Sequence, residues 1–372
     1  MNIRNTIILE KKNKQYYFYY FFFIKLIFFI ILTLNIIGFT NKFGKKKKIG
    51  VVGLKHHQNI GNNLLKYSIF ILLKKYGFDP YIIGKYPGNS NITFLKNYVN
   101  VRIIKNFSDI KENDYDILMV NSDQTWRKWN KDFYDIAFLK FSNNWIIPKF
   151  IYGTSIGFSK WMFTKKDENI AKYLLKKFTG ISVRDKLLVQ LIYNHLGFKS
   201  LLVLDPTLLI GKKYYLQIIK NYKSYINEND NYIFIYKIIH KIKNKINLFA
   251  INASKILNYK IFEVDMNENE YIEKFLYGIY HCKAIITDSF HGTIFAIIFN
   301  KPFITFKKKY DERFKTLRYL LGINDRFVDS NKSPDLTLLN KPLSINKTKL
   351  NQLKFQSLKF LKKNLNISSY LY

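Results

Sequence analysis

The chain has 372 residues and a formal net charge of +35, from 61 Lys and Arg against 26 Asp and Glu. That length is enough for two domains with a hydrophobic core in each. A basic chain often binds nucleic acid, but here Lys is spread along the whole sequence, without an RNP aromatic signature, zinc-finger spacing or basic helix. We therefore predict no nucleic-acid partner and expect the charge to aid solubility and attract anionic substrates.

Cysteine and arginine are both scarce. Cys282 is the only cysteine, which rules out intramolecular disulfides and multi-cysteine zinc sites. It precedes an apolar strand, so we predict a buried small hydrophobe rather than a nucleophile. The chain has seven Arg, and an Arg in a Lys-rich chain indicates a need for planar, bidentate geometry. Arg184 and Arg313 are the two that bear on function, although for any single Arg chance is the alternative.

An apolar, aromatic-rich run occupies residues 16–39 and is interrupted by Lys25. The run is long enough to span a bilayer. Basic residues flank it, with the stronger cluster at 45–48, which favours a catalytic domain on the cytoplasmic side. We predict a membrane anchor within an extension at 1–47; an extension outside the fold, on a cytoplasmic protein, is the alternative.

Apolar strands alternate with helical segments from residue 49 onward, which predicts an α/β fold. The start reads as a strand at 49–53, a polar loop at 55–63, a helix at 64–76 and a strand at 80–83. This arrangement is Rossmann-like, but it lacks G-x-G-x-x-G, so a dinucleotide is not supported.

The same alternation defines the domain organisation. We predict a first Rossmann-like domain at 48–212 and a second at 213–340, with an amphipathic closing helix within 341–372. The second domain begins with a strand at 232–236, which follows a polar segment.

The stretch 284–296 is the strongest candidate for a functional site. An apolar strand runs into Asp288 and Ser289, either of which can cap a new helix. His291 then lies at a helix N-terminus suited to an anion, at the strand end where open sheets bind ligands. Gly292 would let the backbone approach a ligand closely. A well-capped helix with an incidental histidine is the alternative.

Three other polar positions follow predicted strands. Asp123 follows a strand at 115–120, where a ligand cleft and simple helix capping are both consistent. Arg184 ends a short strand that begins at Thr179, and Arg313 lies in the loop after a strand at 301–306. Such positions bring side chains from separate segments to one edge of a sheet.

These segments, in this order, resemble the polysaccharide pyruvyl transferase family across about residues 48–330. The matching motifs are Asn-Ile-Gly-Asn at 59–62, Asn-Ser-Asp-Gln-Thr-Trp at 121–126, Gly-Thr-Ser-Ile-Gly at 153–157, Ile-Ser-Val-Arg-Asp at 181–185, Asp-Pro-Thr-Leu-Leu at 205–209, Asp-Ser-Phe-His-Gly-Thr at 288–293, Asn-Lys-Pro-Phe at 300–303 and Asp-Glu-Arg at 311–313. Each motif alone is weak, but their order makes the set fairly specific.

The resemblance implies two Rossmann-like domains facing a cleft, as in GT-B glycosyltransferases. It implies phosphoenolpyruvate as the donor substrate. The sequence shows no metal cluster and the chemistry needs none, so we expect neither a metal nor a cofactor. The acceptor would be a pair of sugar hydroxyls on a cell-surface or extracellular polysaccharide, carried as a glycan or lipid-linked oligosaccharide. The product would be a pyruvate ketal.

The resemblance also points to Arg184, His291 and the basic residue near Arg313. Arg184 suits bidentate capture of the donor's carboxylate or phosphate, and Arg313 would neutralise the leaving phosphate. His291 would move protons as general acid or base, and Asp288 is the candidate that orients it. Further substrate-binding candidates share a position in one of the polar motifs: Asp123, Ser289, Gly292 and Asn62.

Two other functions fit the same sequence. One is a GT-B glycosyltransferase that uses a nucleotide sugar, which shares the fold, a cleft histidine and basic phosphate ligands. The other is a non-catalytic, membrane-anchored glycan-binding protein. Binding of phosphoenolpyruvate would distinguish a pyruvyl transferase from a glycosyltransferase. Turnover would distinguish either enzyme from a binding protein.

Overall fold

Two parallel β-sheets, each covered by helices, make up the body of the protein. The computed structural model describes residues 23–26, 45–54, 59–85, 92–121, 123–128, 131–220, 222, 230–239, 242–264, 271–307, 310–329 and 332–367. Each sheet belongs to one predicted domain, so the α/β class and its division into two sheets are confirmed.

The first sheet has seven strands in the order β3-β2-β1-β4-β5-β6-β7, and every neighbouring pair is parallel. The strands are β1 (Lys48–Val52), β2 (Asp79–Lys85), β3 (Val101–Ile104), β4 (Ile117–Val120), β5 (Lys149–Thr154), β6 (Gly180–Val183) and β7 (Leu201–Leu202). All four residues of β4 are buried, as expected for a central strand with helices on both faces.

The second sheet has five strands in the order β12-β11-β10-β8-β9, again all parallel. The strands are β8 (Tyr232–Tyr236), β9 (Lys260–Glu263), β10 (Ala284–Thr287), β11 (Phe303–Lys307) and β12 (Phe327–Asp329). The central strand β10 pairs with β8 on one side and β11 on the other, which fixes the strand end before His291 at the middle of the sheet.

The α-helices connect and cover these strands. They are α1 (Ile60–Lys75), α2 (Thr93–Tyr98), α3 (Phe133–Phe138), α4 (Lys165–Leu175), α5 (Lys186–Leu196), α6 (Lys212–Ile219), α7 (Lys243–Leu257), α8 (Tyr271–His281), α9 (Phe290–Ile298), α10 (Glu312–Leu321) and α11 (Lys347–Asn364). A short 3-10 helix, Pro206–Leu208, follows β7.

Helix α1 begins four residues before its predicted start. The prediction of a polar loop at 55–63 was therefore wrong for residues 60–63, which are helical. The Asn59 side chain caps the helix by accepting from the Asn62 backbone N–H at 2.9 Å. Asn62 and Asn63 are buried inside the first turn, where polar composition had suggested a loop.

The predicted loop around Arg313 was also wrong. Asp311 is the N-cap of α10, and its Oδ1 accepts from the Arg313 backbone N–H at 3.1 Å. Arg313 thus belongs to the first turn of a helix, where the cap fixes its backbone.

The closing helix α11 returns to the first sheet. The Leu204 backbone N–H donates to Ser357 Oγ at 2.9 Å, and Gln356 Nε2 donates to the Leu202 carbonyl at 3.0 Å. The rings of Phe150 and Phe360 lie 6.4 Å apart, edge to face. The helix therefore covers the edge strand β7 and joins the chain's end to its first domain.

Cys282 is fully buried, as predicted. Its Sγ donates to the Ile279 carbonyl at 3.2 Å, and burial raises the pKa of the thiol to about 12. The thiolate needed by a nucleophile is therefore disfavoured.

The run predicted to anchor the chain, 16–39, lies outside the described residues except for 23–26. Within the described part of the chain, no helix is both long and apolar enough to cross a bilayer. The membrane anchor stays a prediction.

Candidate functional site

A cleft of about 260 Å³ lies between the two domains. Its lining includes Asn59, Asn62 and Asp123 from the first domain and Ser289, His291 and Arg313 from the second. Each of these residues follows the carboxyl end of a parallel strand, the edge at which open α/β sheets bind ligands. The structure thus brings five separately predicted residues, Asn62, Asp123, Ser289, His291 and Arg313, to one place.

The turn after β10 forms the helix start that the sequence predicts. Ser289 is the N-cap of α9, and its Oγ accepts from the Gly292 backbone N–H at 3.2 Å. A Cβ at Gly292 would overlap Oγ1 of Thr287. Gly292 therefore lets the helix pass close to its own strand, and its predicted contact with a ligand stays a prediction.

Asp288 lies on the loop that follows β8. Its Oδ1 accepts from the Ile238 backbone N–H at 2.7 Å, and its Oδ2 accepts from the Ile239 N–H at 2.9 Å. The carboxylate thus holds a loop at the rim of the cleft, where Ile238 is a lining residue. Its predicted catalytic role stays a prediction.

His291 is 4% exposed and meets a carboxylate that the sequence did not predict. Its Nε2 lies 3.5 Å from Oδ2 of Asp205 and has no hydrogen-bond partner among the described residues. That distance is too long for a strong hydrogen bond but close enough for the carboxylate to orient the ring. Asp205 comes from the first domain, so the two groups meet across the cleft.

Arg184 lies beneath the cleft, with its side chain 2% exposed. Its Nη1 donates to Asp205, and its Nη2 donates to Asp123 Oδ1 at 2.5 Å. Burial lowers the pKa of Arg184, but Asp205 and Asp123 outweigh it and raise the pKa above the usual value. Both terminal nitrogens are occupied by carboxylates of the protein, and direct donor binding by Arg184 stays a prediction.

Arg313 reaches across the cleft from the second domain. Its Nη1 lies 2.7 Å from Asp123 Oδ2, while its Nε and Nη2 donate to Asp311 at 3.0 and 2.7 Å. Its guanidinium carbon lies 4.9 Å from the centre of the Phe290 ring. Two carboxylates and a ring therefore hold this planar cation at the cleft surface.

The carboxylates of Asp123 and Asp205 are ionised near neutral pH, since both have lowered pKa values. Burial raises the pKa of Asp123, but Arg313 and Arg184 outweigh it and hold that pKa well below the usual range. Burial opposes ionisation of Asp205 in the same way, and Arg184 foremost holds its pKa well below the usual range. Neither group can therefore donate a proton near neutral pH, and the role of His291 as general acid or base stays a prediction.

Arg127 also lines the cleft and was missed by the sequence analysis. Its Nη1 donates to Gln124 Oε1 at 3.2 Å, and its guanidinium carbon lies 4.1 Å from the Phe158 ring centre. Three of the chain's seven Arg, at 127, 184 and 313, therefore gather at this site. The scarcity of Arg was the signal that could have found the third.

Asp205 and Asp311 contact the predicted site residues, and the sequence analysis did not select either of them. Asp205 follows β7 just before Pro206, and Asp311 precedes α10 as its cap. Asp205 meets the same criterion as Asp123, because each is a polar residue that follows the carboxyl end of a parallel strand in the first sheet.

Two parallel α/β domains with a cleft at their strand ends define a GT-B-like fold. UDP-GlcNAc 2-epimerase from Neisseria meningitidis, solved bound to UDP-GlcNAc, matches with a TM-score of 0.56 at 12% identity, covering 85% of this chain and 100% of that chain. UDP-GlcNAc 2-epimerase from Methanocaldococcus jannaschii matches with a TM-score of 0.53 at 13% identity, covering 85% and 99%. At such identities the likeness establishes the fold alone.

The chain belongs to the polysaccharide pyruvyl transferase family and is a transferase, because the family's sequence model matches residues 59–307. The matched range contains Asp123, Arg184, Asp205 and His291, and Arg313 lies just beyond it. No curated protein matches the chain.

Proposed function

We propose that the protein moves the pyruvyl group of phosphoenolpyruvate onto two hydroxyls of a glycan, giving a pyruvate ketal and inorganic phosphate. The acceptor is a polysaccharide or its lipid-linked precursor. Membership of the pyruvyl transferase family supports the reaction class, and the cleft supports the choice of donor.

The reaction balances with two proton movements. Each acceptor hydroxyl forms one C–O bond to C2 of the donor, and the C2–O bond to phosphate breaks. One hydroxyl proton ends on C3, which becomes a methyl group, and the other leaves with the phosphate. A group that can both give and take a proton is therefore needed at the cleft.

The observation that carries the proposal is the placement of His291. Its Nε2 is buried without a hydrogen-bond partner among the described residues, and Oδ2 of Asp205 lies 3.5 Å from that same nitrogen. Buried polar atoms are nearly always satisfied, so an unsatisfied imidazole nitrogen in a cleft residue supports a functional role for His291. His291 is the general acid or base of the proposed reaction.

The cations of the cleft suit a small, strongly anionic donor. Phosphoenolpyruvate carries a phosphate of about −2 and a carboxylate of −1. Arg127 and Arg313 both line the cleft, and the N-termini of α1 and α9 open onto it through Asn59 and Ser289. Helix N-termini and guanidinium groups are the usual partners of phosphate and carboxylate.

The size of the cleft favours the same donor over a nucleotide sugar. About 260 Å³ is below the roughly 300–1,000 Å³ that pockets for drug-sized ligands occupy. A three-carbon phosphate fits such a volume more readily than a nucleoside diphosphate sugar does.

The test is to incubate the purified full-length protein with phosphoenolpyruvate and a panel of polysaccharides and lipid-linked oligosaccharides. We expect phosphate release that depends on the acceptor, together with a new ketal methyl signal by NMR. UDP release from UDP-GlcNAc without any phosphate release would instead establish nucleotide-sugar chemistry. Glycan binding without turnover of either donor would establish a binding protein.

A further inference from the structure

A glycine of the first domain packs directly on the imidazole of His291. Gly61 is the second residue of α1, and His291 is the second residue of α9. We propose that Gly61 is a positioning residue, whose missing side chain lets α1 hold the His291 ring in its reactive orientation. The inference rests on the proposed proton-transfer role of His291.

The space at Gly61 is filled by the histidine. A Cβ at position 61 would overlap Nδ1 and Cγ of His291 and would lie 2.8 Å from its Cβ. Gly61 lies in the first turn of a regular helix and is not among the glycines with a positive φ, so its backbone conformation does not require glycine. The close approach of the ring, rather than the backbone conformation, is therefore the physical reason for glycine here.

The first domain contacts the ring on two sides. Gly61 lies against the Nδ1 side, while Oδ2 of Asp205 lies 3.5 Å from Nε2. His291 itself is carried by the second domain, on α9. The imidazole is thus oriented by residues from across the cleft, so the reactive geometry exists only when the two domains meet as they do here.

A methyl group at position 61 would push the ring away from α1 and change its distance to Asp205. Small displacements of a proton-transfer group can cost about a hundredfold in rate. We expect Gly61→Ala to lower kcat about a hundredfold while the KM for phosphoenolpyruvate changes little, because Arg127 and Arg313 keep their places.

Gly278→Ala is the matched control. A Cβ at Gly278 would overlap the Phe234 ring, so this variant also crowds an aromatic side chain from within a helix. Phe234 lies in the core of the second domain and is not among the cleft-lining residues. Gly278→Ala should lose thermal stability with kcat per folded molecule unchanged, and an equal loss of kcat in both variants would overturn the proposal.

A thermal double-mutant cycle tests the contact itself and needs no turnover. Gly61→Ala should lower Tm much more in the native background than in the His291→Ala background, where the ring is gone and only the Cβ contact at 2.8 Å remains. Equal losses in the two backgrounds would overturn the proposal. If Gly61→Ala alone does not fold, the double variant should fold, and its failure would count equally against the contact.

An NMR arm separates this inference from the proposed function. The imidazole signal of His291, assigned by its disappearance in His291→Ala, should shift in Gly61→Ala and stay in place in Gly278→Ala. Absence of phosphate release by the native protein would reject the proposed function, while this shift would still report the positioning. An unshifted signal would reject the positioning whatever the reaction.

Discussion

Asp123 of the first domain and Arg313 of the second form a two-point ion pair across the cleft. Nη1 of Arg313 lies 2.7 Å from Oδ2 of Asp123 and 3.0 Å from its Oδ1. Arg184 donates to the same carboxylate from below, at 2.5 Å. One carboxylate therefore joins the two domains and balances two buried guanidinium groups.

The first prediction is that Asp123→Asn destabilises the protein by about 3–5 kcal/mol, because it leaves two buried cations short of a counter-charge. Urea unfolding monitored by tryptophan fluorescence measures the loss. Asp325→Asn is the control, since Asp325 is half exposed and lies 3.8 Å from Arg326. Surface pairs contribute about 0–1 kcal/mol, so an equal loss in both variants would contradict the prediction.

The second prediction concerns Arg184→Lys. A lysine keeps the charge but cannot reach both Asp205 and Asp123, so we expect about 2–4 kcal/mol of lost stability. Chemical unfolding and the Kd for phosphoenolpyruvate should be measured on the same preparation. If the donor binds more weakly while stability is unchanged, Arg184 binds the donor directly, as the sequence analysis expected.

The third prediction is a pH dependence set by Asp185. Its Oδ2 accepts from Ser155 Oγ at 2.7 Å and from the Ile156 N–H at 3.2 Å, while Oδ1 has no hydrogen-bond partner in the described structure. Burial raises the pKa of Asp185 from 3.8 to about 6. The folded state therefore binds this proton more tightly than the unfolded chain does.

The direction of the pH dependence of stability follows from this difference between the folded and unfolded pKa values of Asp185. The stabilisation that Asp185 contributes to the free energy of unfolding is fully present below about pH 3.8 and is lost as pH rises through about 6. Asp123 and Asp205 have depressed pKa values in the folded protein, so their contribution changes only as pH falls below about 5, and that change is the same in the native protein and in Asp185→Asn. From pH 4 to pH 7, the free energy of unfolding of Asp185→Asn should rise by about 2–3 kcal/mol relative to that of the native protein. Plots of unfolding free energy against pH that run parallel for the two proteins would contradict the prediction.

Apolar runs and capping residues in the sequence predicted the strands and helix starts of the site, because these depend on residues that are neighbours in the chain. The strand before His291 is an uninterrupted apolar run, and Ser289 is a good N-cap, so the helix start at Phe290 could be expected. The strand Tyr232–Tyr236 has the predicted bounds for the same reason, since its apolar run is flanked by polar residues.

Contacts between distant segments could not be predicted in this way. Asp205 meets His291 and Arg184 only because the two sheets bring their strand ends together. The spacing of residues indicates which side chain follows a strand, but not which side chain it will face. Their positions after strand ends therefore selected Asp123 and Arg184 without revealing that the two side chains pair.

Helix α1 shows how a partner domain can override local composition. Its polar first turn reads as a loop, yet Asn63 is buried and its Nδ2 donates to Tyr271 Oη of the second domain at 2.9 Å. A buried amide costs little when such a partner is supplied. The sequence around Asn63 does not indicate that Tyr271 of the second domain will be its hydrogen-bond partner.

The last prediction concerns His291, on which the proposed function depends. His291→Ala should lower the rate of phosphate release by about two to four orders of magnitude, the range for a positioned proton-transfer group. The ring is 4% exposed, so truncation also leaves a small cavity beside Gly61, and we expect about 1–2 kcal/mol of lost stability.

His291→Asn separates the loss of the proton from the loss of packing. It keeps a hydrogen-bonding side chain of similar width but cannot exchange a proton near neutral pH, so donor binding should survive while turnover falls as in His291→Ala. Single-turnover kinetics and the Kd for phosphoenolpyruvate should be measured beside the unfolding free energy. Normal turnover by His291→Ala on a competent acceptor would reduce the residue to part of a helix start. Unfolding of both variants would make it a core histidine, and the reacting groups would then have to be sought around Asp123 and Arg313.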